Sequence, residues 1–168
     1  GNLVSFTNGY HQDGSISTYW LYTYQNATSY WNWQGFDQNT PIATGLGYTQ
    51  KGGGTLDSYI FEGKPNNGTI QLSANDVGGA GSDAGSTKTE YLVGNPYASA
   101  IDAHQFIDDN AGVISGSLYL WEQWAGDSHV LAEYQGGYAT LNKLGKVRAY
   151  QFIGISIIPL AFARRSGI

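Results

Sequence analysis

The sequence predicts an all-β fold: an antiparallel, jelly-roll-like β-sandwich of two related halves, with one short helix near residues 100–110. Three observations favour this class. Charged residues make up only 12% of the 168-residue chain, about half the usual share. Glycine is the commonest residue at 24, and 13 Tyr and 5 Trp accompany it. Such a composition is typical of short strands joined by tight turns.

Ten runs rich in aromatic or β-branched residues are predicted to be strands. In chain order they are Leu3–Phe6, Tyr19–Tyr24, Tyr30–Gln34, Leu46–Lys51, Tyr59–Glu62, Thr69–Leu72, Thr89–Val93, Leu118–Trp124, Val130–Tyr134 and Tyr138–Leu141. Most are bounded by Gly, Asn, Asp or Pro, which supply turns. The Asn67-Gly68 pair predicts a tight turn, because both residues tolerate positive φ.

A single segment, residues 99–110, is predicted to be helical. Ser99 can cap its first turn, with Asp102 three residues further on. Gly112 can end the helix. The apolar face of this helix would consist of Ala103, Phe106 and Ile107.

We expect one domain over residues 1–168, with approximate halves 1–88 and 89–168. The stretch Leu21–Tyr24 is similar to Leu118–Trp121, and an isoleucine lies a few residues before each. We interpret this similarity as an internal duplication, in which the helical segment is an insertion. The apolar faces of two related units would pack together as a two-layer sandwich.

Charge and cysteine content argue against several classes of function. The net charge is −5, and five of the eight Lys and Arg residues lie beyond residue 142. No basic stripe follows a phosphate backbone, so we expect no nucleic-acid partner. The absence of cysteine excludes disulfides and thiolate metal sites. The longest apolar run, Ile155 to Ala163, is interrupted and too short to span a bilayer, so we expect no membrane span.

Four stretches carry a resemblance to a known family. They are Pro41–Thr49, Phe61–Gly68, Tyr91–Tyr97 together with Ser99–Asp102, and Gly116–Trp121. They resemble a repeat region of large secreted and cell-surface proteins of the Bacteroidota, often ones exported by the type IX system. The resemblance covers roughly residues 15 to 142 and implies a β-rich surface module beside adhesin repeats or polysaccharide-degrading domains. It supplies no set of catalytic residues.

The final segment departs from that family. Such regions close with a second Gly-x-Gly-aromatic strand matching Gly45–Tyr48, whereas residues 143–168 are basic and rich in isoleucine. Tyr150 to Ile158 nevertheless has strand propensity. We expect it to form an edge strand, with Arg164 and Arg165 solvated beyond it.

Aromatic residues provide the main candidate ligand site. Trp31 and Trp33 alternate with Tyr30 and Asn32, so both indoles would point to one face of a strand. Flat indole rings suit stacking on the apolar face of a sugar, and we name Tyr30, Trp31 and Trp33 the aromatic platform. The alternative is that these rings belong to the core of the sandwich.

Two acidic groups provide weaker candidates. If Trp124 pairs with His129, Glu133 lies opposite Leu120 and diagonal to Glu122, at a separation compatible with a glycosidase acid and nucleophile. That pairing depends on the strand register.

The second acidic group lies at the end of the helix. Asp108, Asp109 and Asn110, with Asp83 in a Gly-rich loop, offer oxygen ligands for Ca²⁺, although their spacing does not match a calcium-loop motif. Turn-forming roles are the alternative.

We therefore expect a non-catalytic module, adhesive or carbohydrate-binding, in a secreted or cell-surface protein with neighbouring domains in a larger chain. A polysaccharide or surface glycan is the expected partner, and no cofactor is expected apart from the Ca²⁺ considered above. The alternatives are a glycoside hydrolase-like β-sandwich that uses Glu122 and Glu133, and a purely structural spacer domain of a large adhesin.

Overall fold

The computed structural model describes residues 5–51, 59–79, 89–125, 135–147 and 161–165. This part of the chain is mainly β-structure with one short helix, which confirms the predicted class at that level. No helix within it is long and apolar enough to cross a membrane.

The described elements are short, apart from two long strands. In chain order they are β1 (Ser5–Thr7), β2 (Ser15–Ser17), a single 3-10 turn (Thr18–Trp20), β3 (Tyr22–Thr23), β4 (Gln34–Gly35), β5 (Glu90–Val93), α1 (Ala103–Asp109), β6 (Ile114–Ala125), β7 (Gln135–Asn142), β8 (Gly145–Val147) and β9 (Ala161–Arg165).

These strands form three sheets. β1 pairs with β2 in parallel, which differs from the antiparallel prediction, and β3 pairs with β4 antiparallel. The third sheet has five antiparallel strands in the order β5-β9-β6-β7-β8. Within it, Trp121 lies opposite Tyr138, and their ring centroids are 5.0 Å apart. Cross-strand aromatic pairs of this kind stabilise a sheet.

Strand β5 connects the N-terminal segments to the five-stranded sheet. Along one edge it pairs with β9. Along the other edge, the Leu92 N–H donates to the Tyr24 carbonyl (2.7 Å) and the Leu92 carbonyl accepts from the Gly47 N–H (2.9 Å). Glu90 and Ala27 exchange two further backbone hydrogen bonds. The backbone polar groups of β5 are therefore paired on both sides, as a buried strand requires.

Gly47 allows the backbone to approach β5 this closely. A Cβ atom added at Gly47 would lie 2.8 Å from Cγ of Leu92 and 2.9 Å from the carbonyl carbon of Val93. Any larger residue would therefore push the two segments apart. Gly94 faces the same contact, since a Cβ there would lie 3.4 Å from Cα of Gly47.

Two hydrophobic clusters each include one residue of β5, Leu92 in the first and Val93 in the second. Tyr24, Ala27 and Leu92 are buried together, and Trp33 and Tyr119 pack against them. The second cluster is centred on α1 and β6. It comprises Ile107, Ile114 and Leu118, with Val93, Ala103, Phe106 and Leu141 packed around them. This confirms the predicted apolar face of the helix.

The predicted start of the helix is wrong. The N-cap residue is Asp102, whose carboxylate accepts from the His104 N–H (2.8 Å) and the Gln105 N–H (3.1 Å). These two hydrogen bonds satisfy backbone donors of the first turn and lower the pKa of Asp102. Ser99 lies before the helix, where its carbonyl accepts from the Asn95 side chain. Asn110 is the C-cap residue, two positions before Gly112.

Several predicted strands are absent from the described structure. Leu46–Lys51 contributes one isolated bridge, between Leu46 and Val93, and Tyr59–Glu62 and Thr69–Leu72 contribute no strand. Part of Tyr19–Tyr24 forms the 3-10 turn instead. The predicted strand at 130–134 lies outside the described residues.

Side-chain hydrogen bonds replace the strand ladder in these segments. The Asn66 amide donates to the Pro96 carbonyl (2.7 Å), and the Tyr97 hydroxyl donates to the Gly68 carbonyl (2.7 Å). Gly68 has the positive φ (+79°) that the prediction required, but the chain makes only a bend there, which contacts residues 96–97 and does not close a hairpin. These bonds join residues 30 and 29 positions apart, so they fix residues 66–68 to residues 96–97 without a strand ladder.

The predicted position of Arg164 and Arg165, solvated beyond an edge strand, is wrong. Arg164 and Arg165 belong to β9, which lies between β5 and β6 in the interior of the sheet order, and not beyond an edge strand. Residues 150–158 lie outside the described residues, so the predicted strand there stays a prediction.

Tyr24 and Glu90 form a buried polar contact beside the first cluster. The Tyr24 hydroxyl lies 2.8 Å from the Ser29 carbonyl and 3.1 Å from the Glu90 carboxylate. Burial and the neighbouring Glu90 carboxylate raise the pKa of Tyr24 well above its ordinary value of 10.0.

We expect Gly47→Ala to lower the free energy of unfolding by about 1–3 kcal/mol, because its Cβ would overlap Leu92 and the Val93 backbone. Urea unfolding measures this effect. Gly63→Ala is the matched control, since a Cβ there meets no atom within 4 Å. Equal midpoints for the two variants would contradict the close approach at β5.

We expect Tyr24→Phe to lower the free energy of unfolding by about 1–3 kcal/mol at pH 7, because buried acceptors lose a donor. Above pH 10 the unfolded tyrosine ionises while the folded one stays neutral, so the wild-type protein loses this advantage as the pH rises. Urea unfolding between pH 7 and pH 11 should show the two proteins converging. A difference that stays constant would refute the raised pKa.

Candidate functional site

The structure separates the three residues of the predicted aromatic platform. Trp31 lies in a turn and is 85% exposed, with Tyr30 beside it at 55%. Trp33 instead packs on Tyr24, with ring centroids 4.7 Å apart. Of the predicted strand Tyr30–Gln34, only Gln34 lies in a strand, so the two indoles do not share a strand face. We call Tyr30 and Trp31 the exposed pair.

A compact turn holds the exposed pair away from the core. One side-chain oxygen, Oδ1 of Asn32, accepts hydrogen bonds from the N–H groups of Thr28 and Ser29, both at 2.9 Å. The two hydroxyls lie 3.3 Å from the same oxygen. The Asn32 N–H donates a hydrogen bond to the Ser29 carbonyl (3.1 Å), and this bond closes the turn. The position of Trp31 at its tip thus follows from a defined hydrogen-bond network.

The rings of the exposed pair are arranged edge to face. Their centroids are 5.3 Å apart with an interplanar angle of 84°. This geometry is favourable between aromatic rings, so each ring limits the movement of the other. The pair offers an apolar ring face together with a polar hydroxyl.

A second group of aromatic residues was not predicted from the sequence. Tyr10, Tyr19 and Trp20 lie together with Lys51, and we call these four residues the aromatic cluster. Ring centroids are 5.1 Å apart for Tyr10 and Trp20, and 5.0 Å apart for Tyr19 and Trp20, both edge to face. Tyr10 is 52% exposed and Tyr19 is 54% exposed.

Hydrogen bonds between neighbouring segments assemble the cluster. The Trp20 indole N–H donates to the Tyr10 carbonyl (2.8 Å). The Ser17 hydroxyl donates to the Gly9 carbonyl, and the Thr18 hydroxyl to the side chain of Asn8 (3.0 Å). These bonds keep residues 8–10 beside the 3-10 turn, so the two tyrosines flank one indole.

Lys51 reaches the cluster because its segment is hydrogen-bonded to β3. The Thr49 N–H donates to the Tyr22 carbonyl (2.8 Å), and the Thr49 hydroxyl donates to the Trp20 carbonyl (2.8 Å). The Lys51 ammonium lies 4.8 Å from the Tyr10 ring centroid and 5.3 Å from that of Trp20. Both distances fall within the range of cation–π attraction.

Sequence reasoning missed this cluster for a definite reason. A strand over Tyr19–Tyr24 would direct Tyr19 and Trp20 to opposite faces. The 3-10 turn brings the two rings into contact instead. The local signal was the Ser17-Thr18 pair, since both hydroxyls favour bonds to nearby backbone over a regular strand.

The carboxylate pair proposed for glycosidase chemistry depended on an incorrect register. Leu120 lies opposite Ala139, and not opposite Glu133. Glu122 is paired with Gly137 at the backbone level. The side chain of Glu122 and the whole of Glu133 lie outside what the structure describes, as does Asp83.

The residues considered for Ca²⁺ have structural roles. The carboxylate of Asp108 forms an ion pair with Lys143, and that of Asp109 accepts from the Gln105 amide (2.7 Å). The Asn110 amide donates to the Phe106 carbonyl (2.8 Å) as the C-cap. Among the described residues, no group of three or more His, Asp or Glu side chains could hold a metal ion.

Comparison with known proteins places the chain in a family. The model of a family described as "Domain of unknown function (DUF8693)" matches residues 5–158. No curated protein and no solved structure matches the chain. The resemblance to surface proteins of the Bacteroidota therefore stays a prediction. Because the family match spans most of the sequence, the chain belongs to DUF8693, a family of domains of unknown function.

Proposed function

We propose that this domain is a non-catalytic carbohydrate-binding or adhesive module of a secreted or cell-surface protein, with neighbouring domains in a larger chain. The observation that carries the proposal is the 85% exposure of Trp31 at the tip of a hydrogen-bonded turn. We further propose that its mainly-β fold is a jelly-roll-like sandwich of two related halves, as the sequence similarity between the halves predicts.

The exposure of Trp31 has a free-energy cost that a binding role would explain. Leaving a tryptophan side chain in water forgoes on the order of 3 kcal/mol of hydrophobic stabilisation. The turn that imposes this cost is held by backbone hydrogen bonds to Asn32. Contiguous exposed apolar surface commonly marks an interaction site, and the adjoining rings of Tyr30 and Trp31 form such a surface.

A sugar ring is the ligand class that suits the exposed pair. The axial C–H groups of a pyranose form an apolar face that stacks on a flat indole, while the hydroxyls at its rim need polar partners. The pair supplies an indole face, and the Tyr30 ring, which bears a hydroxyl, contacts it edge to face. The low charge content and the many Asn, Gln, Ser and Thr residues of the chain also suit an uncharged ligand rich in hydroxyls.

We expect Trp31→Ala to weaken retention by a bound polysaccharide about tenfold, which corresponds to about 1.4 kcal/mol. The thermal stability should stay unchanged, because the side chain is exposed. Affinity electrophoresis against a panel of plant and marine polysaccharides measures retention. A reducing-end assay on the same polymers should detect no turnover by the wild-type domain.

Trp33→Ala is the matched control for this experiment. Its ring packs on Tyr24, so its loss should reduce the free energy of unfolding by about 2–3 kcal/mol. If no polysaccharide retards the wild-type domain, or if Trp31→Ala binds as well as wild type, the spacer-domain alternative is favoured. Release of reducing ends would favour a glycosidase.

A further inference from the structure

The aromatic cluster contains a feature that the exposed pair lacks, namely a cation. The ammonium group of Lys51 lies against the rings of Tyr10 and Trp20. Only three of the eight basic residues occur in the first 142 positions, and Lys51 is one of them. In a chain with a net charge of −5, one of the three basic residues of the first 142 positions therefore lies among aromatic rings.

Ring geometry leaves part of this cluster open to solvent. Tyr10 and Tyr19 are both about half exposed, although each contacts Trp20 edge to face. The indole N–H is already bonded to the Tyr10 carbonyl. What the cluster offers to a ligand is thus apolar ring surface next to a positive charge.

We propose that the aromatic cluster is a subsite for a carboxylated sugar, such as a uronate residue of an acidic polysaccharide. A uronate ring has an apolar face that stacks on tyrosine, and its carboxylate bears the charge that complements Lys51. A neutral sugar could stack on the rings but has no negative charge to interact with Lys51. This inference rests on the proposed carbohydrate-binding function and names the ligand class of a second surface of the same domain.

Lys51 has a competing role as a purely structural brace for the rings. Cation–π contact at a partly exposed site stabilises a fold by about 0.5–1 kcal/mol. The two roles differ in what a change of charge does to ligand preference. If Lys51 binds the ligand carboxylate, replacing it by an uncharged side chain of similar length changes ligand selectivity. If Lys51 only braces the rings, the same replacement changes thermal stability alone.

The test uses isothermal titration calorimetry of the whole chain with oligogalacturonate and with the same oligomer after carboxyl reduction. We expect wild type to bind the acidic form at least tenfold more tightly in 50 mM NaCl. Lys51→Met should abolish this preference while leaving affinity for the reduced oligomer unchanged, and Lys51→Arg should keep it. High salt should reduce only the preference for the acidic form, since screening weakens exposed charge pairs.

Lys64→Met is the matched control, because Lys64 is an exposed lysine outside the cluster, and it should behave as wild type. Tyr19→Ala should weaken binding of both oligomers.

Equal binding of the acidic and reduced forms by wild type, or an unchanged preference in Lys51→Met, overturns the inference and leaves the proposed function standing. Failure of wild type to bind either oligomer also overturns it. If Trp31→Ala binds every glycan as wild type does while Lys51→Met loses the acidic preference, the role of the exposed pair fails and the subsite stands.

Discussion

Strand β5 is hydrogen-bonded along both edges, and the positions of the other described segments depend on this pairing. On one side it joins β9 and so the five-stranded sheet. On the other, Glu90 and Leu92 bind the backbone at Ala27, Tyr24 and Gly47. A buried strand with one unpaired edge would leave several polar groups without partners, at a cost of about 1–3 kcal/mol each. The N-terminal half is therefore fixed to β5 by the need to satisfy this edge.

Two side chains, Tyr91 in β5 and Thr89 just before it, connect this strand to further segments. Tyr91 hydrogen-bonds through its hydroxyl to the Asn26 side chain and to the Asn75 carbonyl. The Thr89 hydroxyl donates to Asp76 and accepts from the Val77 N–H. Asn26 has a positive φ of 50°, a conformation that asparagine tolerates better than most residues. The turn bearing Trp31 begins just after this position, so the hydrogen bond between Tyr91 and Asn26 ties the base of the turn to β5.

The sequence predicted those parts of the fold that local pattern determines. Strand β5, the individual strands β6 and β7, and the apolar face of α1 follow from residue type and period, and all of them form. The pairing of β6 with β7 was not predicted, because the register depends on where the chain reverses. The exposed turn does not follow from pattern, because the alternation around Trp31 and Trp33 is typical of a strand. Several hydrogen bonds to one oxygen of Asn32 outweigh that propensity. The aromatic cluster depends on residues distant in sequence, so no local window could have predicted the contact between Tyr10 and Lys51.

Both candidate surfaces are built by the same physical means, which connects composition to the proposed function. In each, short polar side chains hydrogen-bond to backbone groups: Asn32 at the exposed pair, and Ser17 and Thr49 at the cluster. A regular strand presents alternate residues to opposite faces, so it seldom groups consecutive aromatic rings. Turns stabilised by Asn, Ser and Thr can group them. The high content of Asn, Thr, Tyr and Trp is therefore reflected in the structure, since uncharged polar side chains hold aromatic rings at exposed positions.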